Sequence, residues 1–238
     1  MALRAVFGGW MRCGADELGV QLAAMVLRLR QQDTTDPVER LMLRLSDEYP
    51  GDVGIFAPIL LNYLQLEPGQ AIFLAANEPH AYLFGDIVEC MACFDNVVRA
   101  GLTPKSRDVD TLCEMLTYRC YDAQQLLVSP RLCGHTAEYS PPCDEFVVTR
   151  IDLPGLAGDL PGPGDGPGER MVPQTSPSLL LVTDGAVSLS GLLTARAGDV
   201  LLELPGEKNC ARPPTTARAT GGAPATLFRV FAKGCYGT

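Results

Sequence analysis

Residues 66–86 read LEPGQAIFLAANEPHAYLFGD. Pro68-Gly69 is a turn signal, and the short apolar run that follows has the length of a strand. A second polar turn, Asn77-Glu78-Pro79, leads into His80, one of two histidines in the chain. Gly85-Asp86 punctuates the stretch again. A histidine placed after a strand and before an aromatic has the setting of a ligand at the rim of a β-structure. A ligand needs companions from elsewhere in the chain.

On the N-terminal side the pattern is helical. In DELGVQLAAMVLRLRQQ, Leu18, Leu22, Met25, Val26 and Leu29 recur at helical spacing. The DTTDP run then supplies capping residues and a proline for a second helix, with Val38, Leu41, Met42 and Leu45 as its apolar stripe. Pro50 and Gly51 end it. Beyond Gly54, short apolar runs between Pro-Gly and Gly-Asp turns predict strands. Residues 107–120, RDVDTLCEMLTYRC, return to helical spacing, with Asp108 or Asp110 as the cap.

From residue 144 onward the reading is β. EFVVTRIDL, PSLLLVTDGAVSLS, GDVLLELP and ATLFRVFAK are candidate strands. LPGLAGDLPGPGDGPGERMVP and ARPPTTARATGGAPA are read as exposed loops, because of their proline and glycine density. GPGDGPG lacks the Lys-Ser/Thr ending of a phosphate-binding loop. ARAGDVLLELPGEKN echoes the opening stretch: a Gly-polar turn, an apolar strand, a polar turn. That repetition suits a double-sheet jelly roll. The second copy has no histidine, so a metal site there is not expected.

The chain has 238 residues, 47% of them hydrophobic and 20% charged, which is ordinary for a globular protein. A net charge of −9 argues against nucleic acid as a partner, since phosphate backbones require a basic face. A few cations inside one pocket remain enough for a phosphorylated small molecule. No apolar run is long enough to span a membrane. The first residues lack the form of a signal peptide, so a cytoplasmic location is expected. The 9 cysteines are expected to be reduced and mostly buried. Cys90 and Cys93 form a single CxxC, without the second pair of a zinc ribbon.

Three long stretches, PHAYLFGDIVECMA, DNVVRAGLTPK and DVDTLCEML, closely resemble the type I phosphomannose isomerases. The similarity is clear over residues 36–118 and weaker through the β-rich tail. The resemblance implies a zinc-dependent interconversion of mannose 6-phosphate and fructose 6-phosphate. It implies a cupin-like jelly roll, mainly β with a helical N-terminal segment. It divides the chain into 1–50, the remnant of a helical inserted domain; 51–120, the second half of the catalytic cupin; and 121–238, a C-terminal cupin-like domain. By the same resemblance His80 is a zinc ligand and Arg99 the catalytic arginine. Tyr82, Asp95 and Lys105 match positions that bind the sugar-phosphate substrate.

The chemistry agrees with these residue types. Aldose–ketose isomerisation passes through an enediol-like intermediate whose oxyanion needs a cation. A zinc ion with an open position serves, and so does a guanidinium, always charged and able to fork onto paired oxygens. Gly101 is expected to give the arginine loop freedom. The chain departs from the family at Phe94, where a serine is usual. It also lacks the family's Gln-any-His segment and its His-Lys-Pro-Glu motif, which carry the other ligands. The expectation is therefore an N-terminally truncated isomerase chain with one zinc ligand retained and little activity alone. The alternative is a non-catalytic cupin module that binds a sugar phosphate or a partner protein. His135, in RLCGHTAEYS, is read as a loop residue.

Overall fold

The computed structural model describes residues 2–94, 96–155, 168–190, 192–205 and 215–233. They fall into two units, one of residues 1–86 and 94–127, the other of residues 87–93 and 128–238.

The first unit opens with three helices, α1 (Ala2–Met11), α2 (Ala15–Gln32) and α3 (Pro37–Glu48). The Asp36 carboxylate accepts from the Val38 and Glu39 amides, and Pro37 follows it, so α3 starts where the sequence placed it. Its stripe of Leu41, Met42 and Leu45 packs with Leu22, Met25 and Leu29 of α2 and with Ile55. α1 was not anticipated, because its two glycines obscure the period. Tertiary packing supplies what propensity lacks there: Phe7 and Met11, one turn apart, join Leu112, Cys113 and Leu116. A 3-10 turn at Val53–Phe56 and the short α4 (Ala57–Leu60) follow.

Beyond α4 the structure departs from the expected strands. Only β1 (Ala71–Ile72) is a strand, paired with β2 (Leu127–Val128). The Phe73 amide adds one bond, to the Leu126 carbonyl at 2.9 Å. The apolar runs are present, but a strand exists through its hydrogen-bonded neighbour. Among the described residues of this unit, no other part of the stretch is paired as a strand. α5 (Val109–Met115) then forms as expected, capped by Asp108.

The second unit is a β-sandwich. Its strands are β3 (Arg131–Cys133), β4 (Thr136–Tyr139), β5 (Phe146–Leu153), β6 (Glu169–Arg170), β7 (Ser178–Asp184) and β8 (Ala186–Leu189). They continue as β9 (Leu193–Arg196), β10 (Val200–Glu203), β11 (Thr216–Ala219) and β12 (Ala225–Ala232). One sheet has the order β10-β7-β12-β5-β4-β3, the other β6-β11-β8-β9. Ile151, Leu180, Val182 and Leu227 of the first sheet meet Val187, Leu189, Ala195 and Ala217 of the second in one core. β7 and β8 belong to different sheets, and Gly185 makes the corner between them. It has φ 69°, and a Cβ there would lie 2.3 Å from the Pro224 carbonyl oxygen. Strands that pass between two packed antiparallel sheets give the jelly-roll arrangement expected. The chain is thus mainly β beyond a helical N-terminal segment.

Three local readings are corrected. Thr216–Ala219, read as loop, is strand β11, with Ala217 fully buried between β6 and β8. A small alternating segment reads as loop by composition yet suits a narrow interior position. Of the Gly/Pro-rich stretch 153–173, residues 156–167 lie outside the described residues, and its end forms β6 and buries Met171. Of seven described cysteines, all free, only Cys113 is buried, and Cys93, Cys120 and Cys133 are exposed. Cys210 and Cys235 lie outside the described residues.

Candidate functional site

His80 follows a loop tied down from several directions. The Thr117 hydroxyl donates to Glu78 Oε1 at 2.5 Å, and the Thr117 amide to the Asn77 carbonyl at 3.3 Å. Asn77 takes φ 63°, a left-handed conformation that asparagine tolerates. The Nδ1 of His80 lies 2.9 Å from the Glu78 carbonyl oxygen. A carbonyl only accepts, so the neutral ring is the Nδ1–H tautomer, and Nε2 makes no hydrogen bond among the described residues. A ligating histidine uses this tautomer. The ring is exposed and stands 5.7 Å from that of Tyr82, tilted by 54°.

Tyr82 forms one wall of a cleft of about 120 Å³ whose opposite wall is the end of α3, Arg44, Glu48 and Tyr49. Arg44 bonds Glu48 at 2.7 Å and donates to the Leu83 carbonyl, pinning the loop after His80 to the helix. His80, Arg99 and Lys105 are not among the cleft's walls.

The arginine loop is anchored separately. Val98 and Ala100 pack against the core between α1 and α5, and Leu102 against that between α2 and α3. Arg99, between two anchored neighbours, is half-buried and makes no hydrogen bond or ion pair among the described residues. Gly101 does not supply the freedom expected of it. A Cβ there would sit 2.8 Å from the Gly54 Cα and 2.9 Å from Asp52 Oδ1. Glycine is required by close approach, and the left-handed residue is Leu102, at φ 54°. Asp52 Oδ1 accepts from both the Gly54 amide, at 2.6 Å, and the Leu102 amide, at 2.9 Å. Reading Pro50-Gly51 only as a helix stop missed Asp52. The signal was the Asp-x-Gly that follows, a pattern in which the carboxylate folds back onto the backbone.

Lys105 is exposed, with its amide donating to Thr103 Oγ1 at 3.2 Å. Asp95 lies outside the described residues. The structure thus brings His80 and Tyr82 together and sets Arg99 and Lys105 on a second, separately anchored loop. His135 sits in the turn between β3 and β4, its amide 3.3 Å from Glu169 Oε2.

A zinc site needs about three protein ligands. Among the described residues no group of three or more His, Cys, Asp and Glu side chains could hold a metal. His80 offers one suitable nitrogen, and the described residues do not by themselves fit the ion.

Residues 1–61 match the family described as phosphomannose isomerase type I, helical insertion domain. The mannose-6-phosphate isomerase of Bos taurus is 42% identical over 197 residues, which cover 79% of this chain and 44% of that protein. That of Rattus norvegicus is 40% identical over 213 residues, covering 84% of this chain and 48% of the relative. The chain therefore spans about half the length of the curated relatives it matches. The mannose 6-phosphate isomerase of Salmonella typhimurium, solved with fructose 6-phosphate and zinc, superimposes with a TM-score of 0.77. It is 29% identical, and the match covers 97% of this chain and 54% of that one.

Proposed function

We propose that this chain, being related to the type I phosphomannose isomerases over most of its length, carries part of a mannose-6-phosphate isomerase. The reaction is the interconversion of mannose 6-phosphate and fructose 6-phosphate. The observation that carries the reading is the anchored loop around Arg99. Arg99 is half-buried, and its permanently charged guanidinium can fork onto paired oxygens of a bound anion. Moving a proton between neighbouring sugar carbons builds negative charge on an oxygen, and Arg99 is assigned to neutralise it. Anchoring on both sides reduces the reorganisation needed when that charge appears. Tyr82 and Asp95 are assigned to the sugar and Lys105 to the phosphate.

His80, whose Nε2 makes no hydrogen bond among the described residues, is assigned as one metal donor. Zinc bound in such a pocket would polarise the substrate oxygens. No step is derived through it, because the described residues supply no complete donor set. A cytoplasmic setting is consistent with the seven free thiols among the described residues. No described helix is long and apolar enough to cross a membrane.

With no metal-donor group among the described residues, a second reading is a non-catalytic cupin module that binds a sugar phosphate. The two separate by experiment. Fructose 6-phosphate binding, measured by calorimetry, is expected to fall about 10-fold or more in Arg99→Ala under either reading. Isomerisation followed by a coupled assay distinguishes them. Zinc-dependent turnover lost on Arg99→Ala supports the isomerase, and binding with no turnover in any zinc-loaded form supports the module. Binding unchanged in Arg99→Ala overturns both.

A further inference from the structure

The two loops that carry the assigned residues are held by α3 and the turn that follows it. Leu83, after His80 and Tyr82, and Leu102, after Arg99, both pack against the core between α2 and α3. Each is also held by its backbone. The Arg44 guanidinium on α3 donates to the Leu83 carbonyl, and the Asp52 carboxylate just beyond α3 accepts the Leu102 amide at 2.9 Å. A cation meets the carbonyl and an anion meets the amide, so each backbone group has a charged partner of the polarity it requires. Ala81, Tyr82 and Leu83 of one loop and Leu102 of the other line the same cleft of about 120 Å³ against the end of α3.

Arg44 is suited to its part. Glu48, one turn further along α3, accepts from its Nε at 2.7 Å, while Nη2 reaches Leu83. The long side chain is ordered by its own helix, and little further freedom is lost when it grips the loop. Tyr82 adjoins the gripped residue, and its ring stands 5.7 Å from that of His80. Support of this kind confines a site's side chains to one geometry.

We infer that Arg44 is a positioning residue for the sugar-phosphate site. By holding the Leu83 carbonyl it fixes the Tyr82 ring relative to the Arg99 loop, and it acts on the substrate through Tyr82. The inference rests on the sugar-phosphate reading of the site.

The test compares the full chain with Arg44→Ala, Tyr82→Ala, the double variant and Arg30→Ala. Arg30 pairs with Asp47 across exposed positions of α2 and α3, so Arg30→Ala removes an ion pair of the same helix that does not reach the loop. Without ligand, NMR order parameters at residues 81–84 are expected to fall in Arg44→Ala toward flexible-loop values, below about 0.6, and to stay unchanged in Arg30→Ala. Fructose 6-phosphate affinity, measured by calorimetry, is expected to weaken about 5-fold in Arg44→Ala and to be unaffected in Arg30→Ala. In the Tyr82→Ala background, Arg44→Ala is expected to cost nothing further, because the ring it holds is gone. A merely structural role would lower affinity equally in both backgrounds, and that outcome overturns the inference. Unchanged order parameters or unchanged affinity in Arg44→Ala overturn it as well. A parent chain that does not bind fructose 6-phosphate overturns the sugar-phosphate reading and this inference together, whereas binding by the parent with an additive cycle removes the inference alone.

Discussion

Leu102 donates its backbone N–H to the Asp52 carboxylate at 2.9 Å across 50 positions of sequence. The same oxygen accepts the Gly54 amide at 2.6 Å, so one carboxylate ties the start of the 3-10 turn to the loop that carries Arg99. Asp52 thereby fixes the backbone that presents the Arg99 guanidinium. Asp52→Ala leaves two part-buried amides without their acceptor and is expected to cost about 1–3 kcal/mol. Asp52→Asn keeps an acceptor oxygen and is expected to restore most of that. Urea unfolding of the three proteins decides it, and equal midpoints for Asp52→Ala and the parent would refute the anchor.

Gly101 and Gly19 give the same substitution opposite signs. At Gly101 an added methyl meets Gly54 backbone at 2.8 Å and Asp52 Oδ1, itself held by two amides, at 2.9 Å. Gly101→Ala is expected to destabilise by about 1–3 kcal/mol. Gly19 lies inside α2 with nothing within 4 Å of its would-be Cβ. Gly19→Ala is expected to stabilise by about 0.5–1 kcal/mol, the helix-propensity difference. Thermal melts moving in the same direction for both would contradict the close packing at residue 101.

How much of this was legible depended on whether the information was local. α2, α3 and α5 carry their own period and caps, with Asp36 and Asp108 accepting the first amides as their positions suggested. The long strands β5, β7 and β12 carry apolar alternation or runs that only a sandwich core satisfies. α1 and β11 were missed because packing decides them: Phe7 and Met11 against α5, and Ala217 at a site where nothing larger is seated. The stretch around His80 was misread for the opposite reason, since its sequence has the look of strands whose partners are not found among the described residues. For the candidate site, motif resemblance located His80 and Arg99. The Asp52 anchor and the reason for Gly101 needed the fold, because both depend on residues some 50 positions apart.

The sandwich contains a buried cation with its own counter-charge. Arg229, 3% exposed, donates to Glu203 Oε2 and to the Val172 carbonyl, both at 2.6 Å. Thr215 supports Glu203 from the other side, at 2.9 Å. Among the described residues, the Nε of Arg229 has no partner, nor does the hydroxyl of buried Ser178. Such a pair contributes little beyond what hydrophobic residues would, but breaking it strands a charge. Glu203→Ala is expected to cost about 3–5 kcal/mol, and the double variant Glu203→Leu with Arg229→Met much less. A double variant less stable than Glu203→Ala would show that the pair itself, and not the stranded guanidinium, sets the cost.

Acid weakens the chain at the start of α5. The Asp108 carboxylate accepts the Thr111 amide at 3.0 Å and the Thr111 hydroxyl at 2.7 Å, and these bonds hold its carboxyl below the ordinary value of 3.8. The sign follows from the depressed value. Above pH 3.8 the carboxylate is charged in folded and unfolded chains alike, and the cap contributes in full. As pH falls below 3.8, the unfolded chain binds the proton first, so the contribution shrinks until the folded carboxyl is protonated as well. Asp108→Asn still caps but does not titrate there, so its loss of stability on acidification is expected to be shallower than the parent's. Carboxyl chemical shifts followed by NMR read the group directly, and a midpoint for Asp108 at or above 3.8 would sink the prediction. Because α5 presents Leu112, Cys113 and Leu116 to the core that also seats Val98 and Ala100, loss of the cap is expected to loosen the Arg99 loop in step.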